Sequence, residues 1–453
     1  MEKNLTNGSV FKNIIYFSLP FLLSYFLQTL YGLADLFIIG RFCPTASTTA
    51  VSIGSQVMHM LTVMIVGLVT GSLVLIGKAV GAGDSELKNK AVGNTVTVFF
   101  AISLVLTALL LLCTKPIVKV MSTPGDAVEG TVNYLRICFA GIPFIVLYNV
   151  ISSVFRGMGD SKSPMYFIAV ACVCNIGLDF LLIGKLGMDS AGAALGTTLS
   201  QTISVIIAVF FIVKKNMISG ISKAHFRLRK NIVGQIMRVG IPISLQDGFI
   251  QIAFLLITVF ANNRGLTDSA AVGISEKVIG ILFLVPSTLM ASVSALCAQN
   301  VGAGKHDRAK KTMLDAIAIA VVSGLFFSVL FQFISPFVIS LFTKDASVIE
   351  TGTPYLKSYV WDCLFAAIHF IFSGYFCAYS RSEFSFIHNS VSALFARIPL
   401  SYYFSKAYKS LFYMGTAAPI GSILSILICI VFYIGMNRKS KSSQNIRKED
   451  IVD

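Results

Sequence analysis

Charge is what this chain has least of: Asp, Glu, Lys and Arg make up 13% of its 453 residues, about half the share of a soluble domain. With 55% hydrophobic residues, it carries more apolar surface than a water-soluble core can cover, so the bilayer must be its solvent. Metal-ligand spacing and a disulfide framework are missing as well. The nine cysteines are scattered singly, most of them inside apolar runs (Cys113, Cys138, Cys172, Cys174, Cys297, Cys363, Cys429), where free thiols pack as small hydrophobes. Long polar loops are absent, which leaves a membrane-embedded transferase no segment to hold its substrate, and the chain is not expected to be an enzyme. Neither glycine cluster ends in GK[ST], which argues against a nucleotide site or cofactor.

What is present is a series of long apolar runs. A helix needs about 20 such residues to cross roughly 30 Å of hydrocarbon, and twelve stretches qualify: 13–39, 48–76, 91–114, 130–155, 164–184, 190–213, 233–261, 270–297, 311–342, 352–380, 384–405 and 414–436. They are too long and too uniformly apolar for barrel strands, so the expected fold is all-α and integral to the membrane. Pro20, Gln28 and Asp35 inside the first run mark it as a retained helix rather than an export signal. The net charge of +15 reflects basic residues in loops and at the ends, read as topology signals rather than as a nucleic-acid surface. Loops 77–91, 156–163, 214–231, 298–311 and 381–384 hold 16 Lys and Arg against 8 in the opposite loops. Five more between Arg438 and Lys448 put both termini in the cytoplasm of a multi-pass protein of the plasma membrane. Tyr359 and Trp361 near a span end read as interfacial anchors.

A shift of 221 residues superimposes the chain on itself. AVSIGSQV at Ala50 falls on AVGISEKV at Ala271, Val80-Gly81-Ala82-Gly83 on Val301-Gly302-Ala303-Gly304, and Tyr134-Leu135-Arg136 on Tyr355-Leu356-Lys357. Pro20 and Pro242 come within one residue of that register and place a helix-kinking residue early in each half. Two six-helix lobes follow, related by a pseudo-twofold axis along the membrane normal. Their bounds are 1–213 and 232–436, joined by a linker at 214–231 and followed by a tail at 437–453, with substrate expected where the lobes meet. The two VGAG segments are expected to end a helix in a tight turn, and Arg156-Gly157-Met158-Gly159-Asp160 to form a polar turn.

Polar residues inside the spans fall on helical stripes. Ser24, Gln28, Tyr31 and Asp35 form one face of the first span, and Asn175 with Asp179 one face of the fifth. An intramembrane carboxylate is costly and marks an ion or substrate path. Two of them in low dielectric favour holding a proton, which makes Asp35 and Asp179 a candidate proton carrier, although Asp179 could also pair with Lys185. Thr197, Gln201 and Ser204 in the sixth span, and Ser244, Asp247, Gln251, Thr258 and Asn262 in the seventh, read as cavity lining; hydroxyls and amides also bond helix to helix. Asp362, His369 and Ser373 keep helical spacing in the tenth span, His369 reading as a cavity candidate or as a packed, hydrogen-bonded histidine, while Arg397 beside Pro399 in the eleventh reads equally as a snorkelling or a buried, paired side chain.

These residues carry a family likeness. Pro20 with Asp35 in LADLFIIGR, the VGAG loop in both halves, FRGMGDSKSPM after the fourth span and NIGLDFLLI in the fifth make the chain resemble the multidrug and toxic compound extrusion (MATE) family over essentially its whole length. The resemblance implies secondary active efflux of organic cations and amphipathic drugs in exchange for protons or sodium ions, without ATP hydrolysis. It assigns cation coupling to Asp35, Asn175 and Asp179. The branch of the family that binds sodium in its second lobe carries acids where this chain has Ile250 and Ala366, with Gln251 adjacent and Asp247 one turn away. That departure favours first-lobe coupling, by proton before sodium. The alternative is a flippase for lipid-linked saccharides, which requires a strongly cationic cavity that only Arg397 hints at. A monomer is the default expectation.

Overall fold

A computed structural model describes residues 4–215 and 220–449, with side chains through 438. Residues 216–219 of the expected 214–231 linker and the last four of the tail therefore lie outside the described residues, and of the tail's basic side chains only that of Arg438 is described. Every regular element among the described residues is helical. The spans are α1 (Val10–Phe42), α2 (Thr45–Ala82), α3 (Ser85–Val120), α4 (Gly125–Ala140 with Ile142–Gly157), α5 (Lys162–Lys185) and α6 (Asp189–Lys214). They continue as α7 (Lys230–Asn262), α8 (Leu266–Gly302), α9 (His306–Ser340), α10 (Ala346–Ala378), α11 (Ser382–Ser392, Ala393–Arg397 and Ile398–Ala407) and α12 (Leu411–Glu449).

Each expected run thus falls on a helix, but not all are single spans. Among the described residues ten helices are long and apolar enough to cross a membrane, and α4, bent by 48° at Gly141, makes eleven. The twelfth, expected at 384–405, is helical but divided by a π-turn at Ala393–Arg397. A second π-turn, Phe180–Lys185, ends α5. Such turns cluster at functional sites because they re-aim side chains out of the ordinary helical register.

Local chemistry sets the helix ends. Ser9 and Asp84 accept from backbone amides of the first turns of α1 and α3, satisfying donors that have no partner within the helix. Gly83 and Gly304, at φ +71° and +70°, end α2 and α8 in the left-handed conformation that a glycine adopts without steric cost. Proline recurs inside helices at Pro20, Pro116, Pro242 and Pro336, so that Pro116 and Pro336 also come within one residue of the internal register.

The described residues group into two compact units. The first takes the chain up to Gly248 together with Ala291–Thr312 and Cys377–Ser380; its core runs through Ile39, Val51, Leu135, Phe139, Phe155 and Ile168. The second takes Phe249–Met290, Met313–Phe376 and the residues from Arg381 on, with Ile257, Val272, Tyr355, Leu356 and Tyr359 in its core. Tyr359 is 1% exposed and packs edge-on against Tyr355, which corrects its expected role as an interfacial anchor.

Candidate functional site

In the first unit, three helices bring together the acids singled out by spacing. Asp35 comes from α1, Asn175 and Asp179 from α5, and Thr197 and Gln201 from α6. Asp35 is 3% exposed, and Asn175 and Asp179 are fully buried. Thr197 donates to Asp35 Oδ2 at 3.1 Å, and Asp179 and Asn175 lie within side-chain reach of Asp35. Yet Asp35 Oδ1, both oxygens of Asp179 and both polar atoms of Asn175 lack a hydrogen-bond partner. Asp179 therefore does not pair with Lys185. A carboxylate can only accept, so two facing carboxylates cannot satisfy each other until one of them gains a proton or a cation enters between them. The room is built in, since a Cβ at Gly196 would overlap Asp179 Oδ1. The π-turn of α5 begins at the next residue after Asp179.

The rest of the α1 stripe has mixed roles. Tyr31 is in reach of Gln201, and Gln28 of Tyr148. Ser24 donates to the Pro20 carbonyl at 2.9 Å, a back-bond of the kind that bends helices. Ser204 donates to the Phe167 carbonyl at 2.9 Å and ties α6 to α5. Asp247 on α7 lies against α2, where a Cβ at Gly67 would stand 2.8 Å from Asp247 Oδ2. Gln251 and His369 belong to the second unit.

At the far end of α2 the repeat motifs meet. A Cβ at Gly81 would overlap the carbonyl oxygen of Gln299, and a Cβ at Gly302 that of Lys78. Each glycine and each carbonyl is the other's counterpart at a shift of 221. The crossing is reciprocal. Gln299 Nε2 donates to the Gly157 carbonyl at 3.1 Å and its Oε1 accepts from Leu5 N at 3.0 Å, while Lys78 Nζ donates to Ser380 Oγ at 2.7 Å. Lys305 and Arg308 hold residues 5–8 through carbonyls of Thr6, Asn7 and Gly8. Within VGAG the last glycine makes the expected turn; the first makes this crossing, which spacing alone does not signal. Arg156, expected in a polar turn, is 7% exposed and stacks 3.6 Å over the Phe21 ring.

The second unit holds a different arrangement. Arg397 donates to Asp362 Oδ2, and Ser422 to Asp362 Oδ1. Arg397 is thus a largely enclosed, paired side chain rather than a snorkelling one. His369 Nε2 reaches Ser422 Oγ at 3.3 Å, and both ring nitrogens of His388 are bonded, to Ser373 and Ser425. A cavity of about 50 Å³ lies beside them, lined by Phe254, Phe283, His369, Asn389 and Arg397 among others. Sequence reasoning misses Glu276, which accepts from Thr258 at 3.1 Å and leaves its Oε1 without a partner. The one signal available is its place in the repeat, opposite Ser55. Among the described residues no group of three or more His, Cys, Asp or Glu is arranged to hold a metal ion.

Comparison with known proteins agrees with the all-helical, duplicated fold. The MatE family model matches residues 20–181 and, a second time, 242–403, so both halves of the chain fit the same model. The chain is 28% identical over 363 residues to the probable multidrug resistance protein YoeA of Bacillus subtilis, covering 79% of this chain and 78% of that one. It is 25% identical to the multidrug export protein MepA of Staphylococcus aureus over 81% of each. A crystal structure of a MATE protein in complex with MaL6 superposes with a TM-score of 0.87 at 25% identity, covering 97% of this chain and 99% of that chain.

Proposed function

We propose, since this chain belongs to the MATE family of multidrug efflux transporters, that it exports organic cations and amphipathic drugs by antiport, with protons as the coupling ion in preference to sodium. It is a multi-pass membrane transporter and not an enzyme. The observation that carries the proton reading is the set of unsatisfied atoms at Asp35, Asn175 and Asp179. One proton turns one carboxyl into a donor, so that the pair bonds internally and loses a buried charge at the same time. Sodium would find oxygen ligands in the same four side chains, Thr197 included, which makes it the competing ion.

In this reading the ion and the drug use the first half in alternation. Drug enters from the cytoplasm when the glycine crossing between α2 and α8 parts. Proton uptake at Asp35 and Asp179 from outside then changes the hydrogen bonding of α1, whose weak point is Pro20 with the Ser24 back-bond. Only a differential affinity of the two states for proton and drug can drive the cycle. The protein acts at the cell membrane with both termini inside, as a monomer, and needs no cofactor.

The test is efflux of a fluorescent organic cation from proteoliposomes under a proton gradient and, separately, under a sodium gradient, with Asp35→Asn in parallel. Export driven by the proton gradient in the wild type and abolished in the variant is the expected result. Export driven only by sodium reassigns the ion, and coupled export by Asp35→Asn removes the site.

A further inference from the structure

The connection between the two halves of the repeat is basic throughout: residues 214–231 carry six Lys and Arg and no Asp or Glu. We propose that its second part, Lys223–Lys230, is a docking surface for an anionic phospholipid, whose phosphate the basic side chains take while Phe226 and Leu228 enter the apolar layer beside it. The inference needs only that the chain is embedded in a membrane, and it goes beyond the exporter reading, which gives the linker no ligand.

Three observations carry it. First, the segment is fixed to α3 through its backbone. Asn94 Nδ2 donates to the His225 carbonyl at 3.1 Å, and Asn94 Oδ1 accepts from Arg229 N at 2.7 Å. Thr97 Oγ1 donates to the Phe226 carbonyl at 2.9 Å, and Asn89 Nδ2 to that of Gly220 at 3.2 Å. The fit is close, since a Cβ at Gly93 would overlap the His225 carbonyl oxygen. A linker that only has to span a distance needs no such anchoring. A backbone held in this way displays its outward side chains in a set pattern, so little chain entropy is lost when a ligand meets them.

Second, that pattern is amphipathic. His225 is buried, whereas Phe226 and Leu228 are 40% and 56% exposed. Arg227 between them is extended, which sends its side chain to the opposite side. Large apolar side chains on one side and arginine on the other make a segment suited to lie in the membrane interface. The level agrees: Thr97, which holds Phe226, is followed one turn later by Phe100 and then by Leu104, both exposed apolar side chains of a span.

Third, the charge is uncompensated. Lys223, Arg227, Arg229 and Lys230 are exposed, and no carboxylate among the described residues pairs with them. Glu86, the acid that His225 contacts at 3.2 Å, is already engaged by Lys90 at 2.9 Å. Clustered basic side chains beside a span attract anionic headgroups, and a guanidinium takes two phosphate oxygens at once. A free phosphate would use the arginines but leave Phe226 and Leu228 in water, which favours the lipid as occupant.

The experiment counts lipids bound to the purified full-length protein by native mass spectrometry from detergent, titrating phosphatidylglycerol and phosphatidylcholine with the same acyl chains. The wild type is expected to bind its first phosphatidylglycerol about tenfold more tightly than its first phosphatidylcholine. Arg227→Gln with Arg229→Gln should bring the two lipids within about twofold. Lys310→Gln with Lys311→Gln, which removes the same charge from the start of α9, should keep the preference. Phe226→Ser with Leu228→Ser should weaken both lipids alike, by about fivefold. Equal binding of the two lipids by the wild type, a preference that survives the loss of both arginines, or one lost equally with Lys310 and Lys311 overturns the proposal. Displacement of phosphatidylglycerol by soluble glycerol phosphate overturns it too, by marking a free phosphate as the ligand. The wild-type comparison and the competition stand even where a variant does not fold. No gradient and no drug are present, so the exporter reading neither gains nor loses by any of these results.

Discussion

Each half of this molecule buries acids, and the surroundings of Asp362 in one and of Asp35 and Asp179 in the other treat them in opposite ways. Asp362 in the second half is fully buried with both oxygens engaged, one by Arg397 and one by Ser422. Asp35 and Asp179 in the first half are as deeply buried and share a single bond, from Thr197. A satisfied network rigidifies what surrounds it, whereas an unsatisfied one has a second state in which a proton or ion completes it. The contrast marks Asp362 as a structural acid and Asp35 with Asp179 as the candidates for the proposed coupling, on grounds that burial alone does not provide.

Removing charge at Asp35 tests that contrast most severely. Asp35→Asn is expected to abolish gradient-driven export outright while the protein stays as resistant to heat as the wild type, or gains, because a carboxamide brings the donor that the site lacks. Next in size is Arg397→Met, which strands Asp362 without its counter-charge and should cost about 3–5 kcal/mol of stability, seen as a lowered midpoint in a thermal scan. Pairing it with Asp362→Leu should restore most of the loss; a double variant as unstable as the single one would contradict the structural role. Gly81→Val places a branched side chain against the Gln299 carbonyl and should cost about 1–3 kcal/mol by overpacking. The smallest effect is expected at Ser204→Ala, about 0.6 kcal/mol for one interhelical bond, with transport unchanged.

Much of this architecture is legible in the amino-acid sequence. Apolar run lengths place the helices because lipid tolerates no unsatisfied backbone, and the 221-residue register exposes the duplication. Asp35, Asn175 and Asp179 stand out because polar side chains on an apolar stripe are expensive. Their shortage of partners is not readable, since it depends on which side chains three separate helices present to one point. The same limit hides Arg156, whose neighbours Gly157, Gly159 and Asp160 have the composition of a turn although the side chain packs inward on Phe21. The π-turns at Phe180–Lys185 and Ala393–Arg397 leave no trace either, because one extra residue in a helical turn changes no periodicity long enough to detect.

The crossing of Gly81 and Gly302 with the carbonyls of Gln299 and Lys78 joins backbone to backbone. Such a joint has no rotamers to lose when it closes or to recover when it opens, so its opening carries little of the side-chain entropy that ordinary helix interfaces exchange. In the proposed cycle it would serve as a bare bearing surface, where weak contacts between Cα hydrogens and carbonyl oxygens part and re-form in the same place. A transporter that must open again and again without drifting into a misaligned packing has reason to put glycine, and only glycine, at that seam.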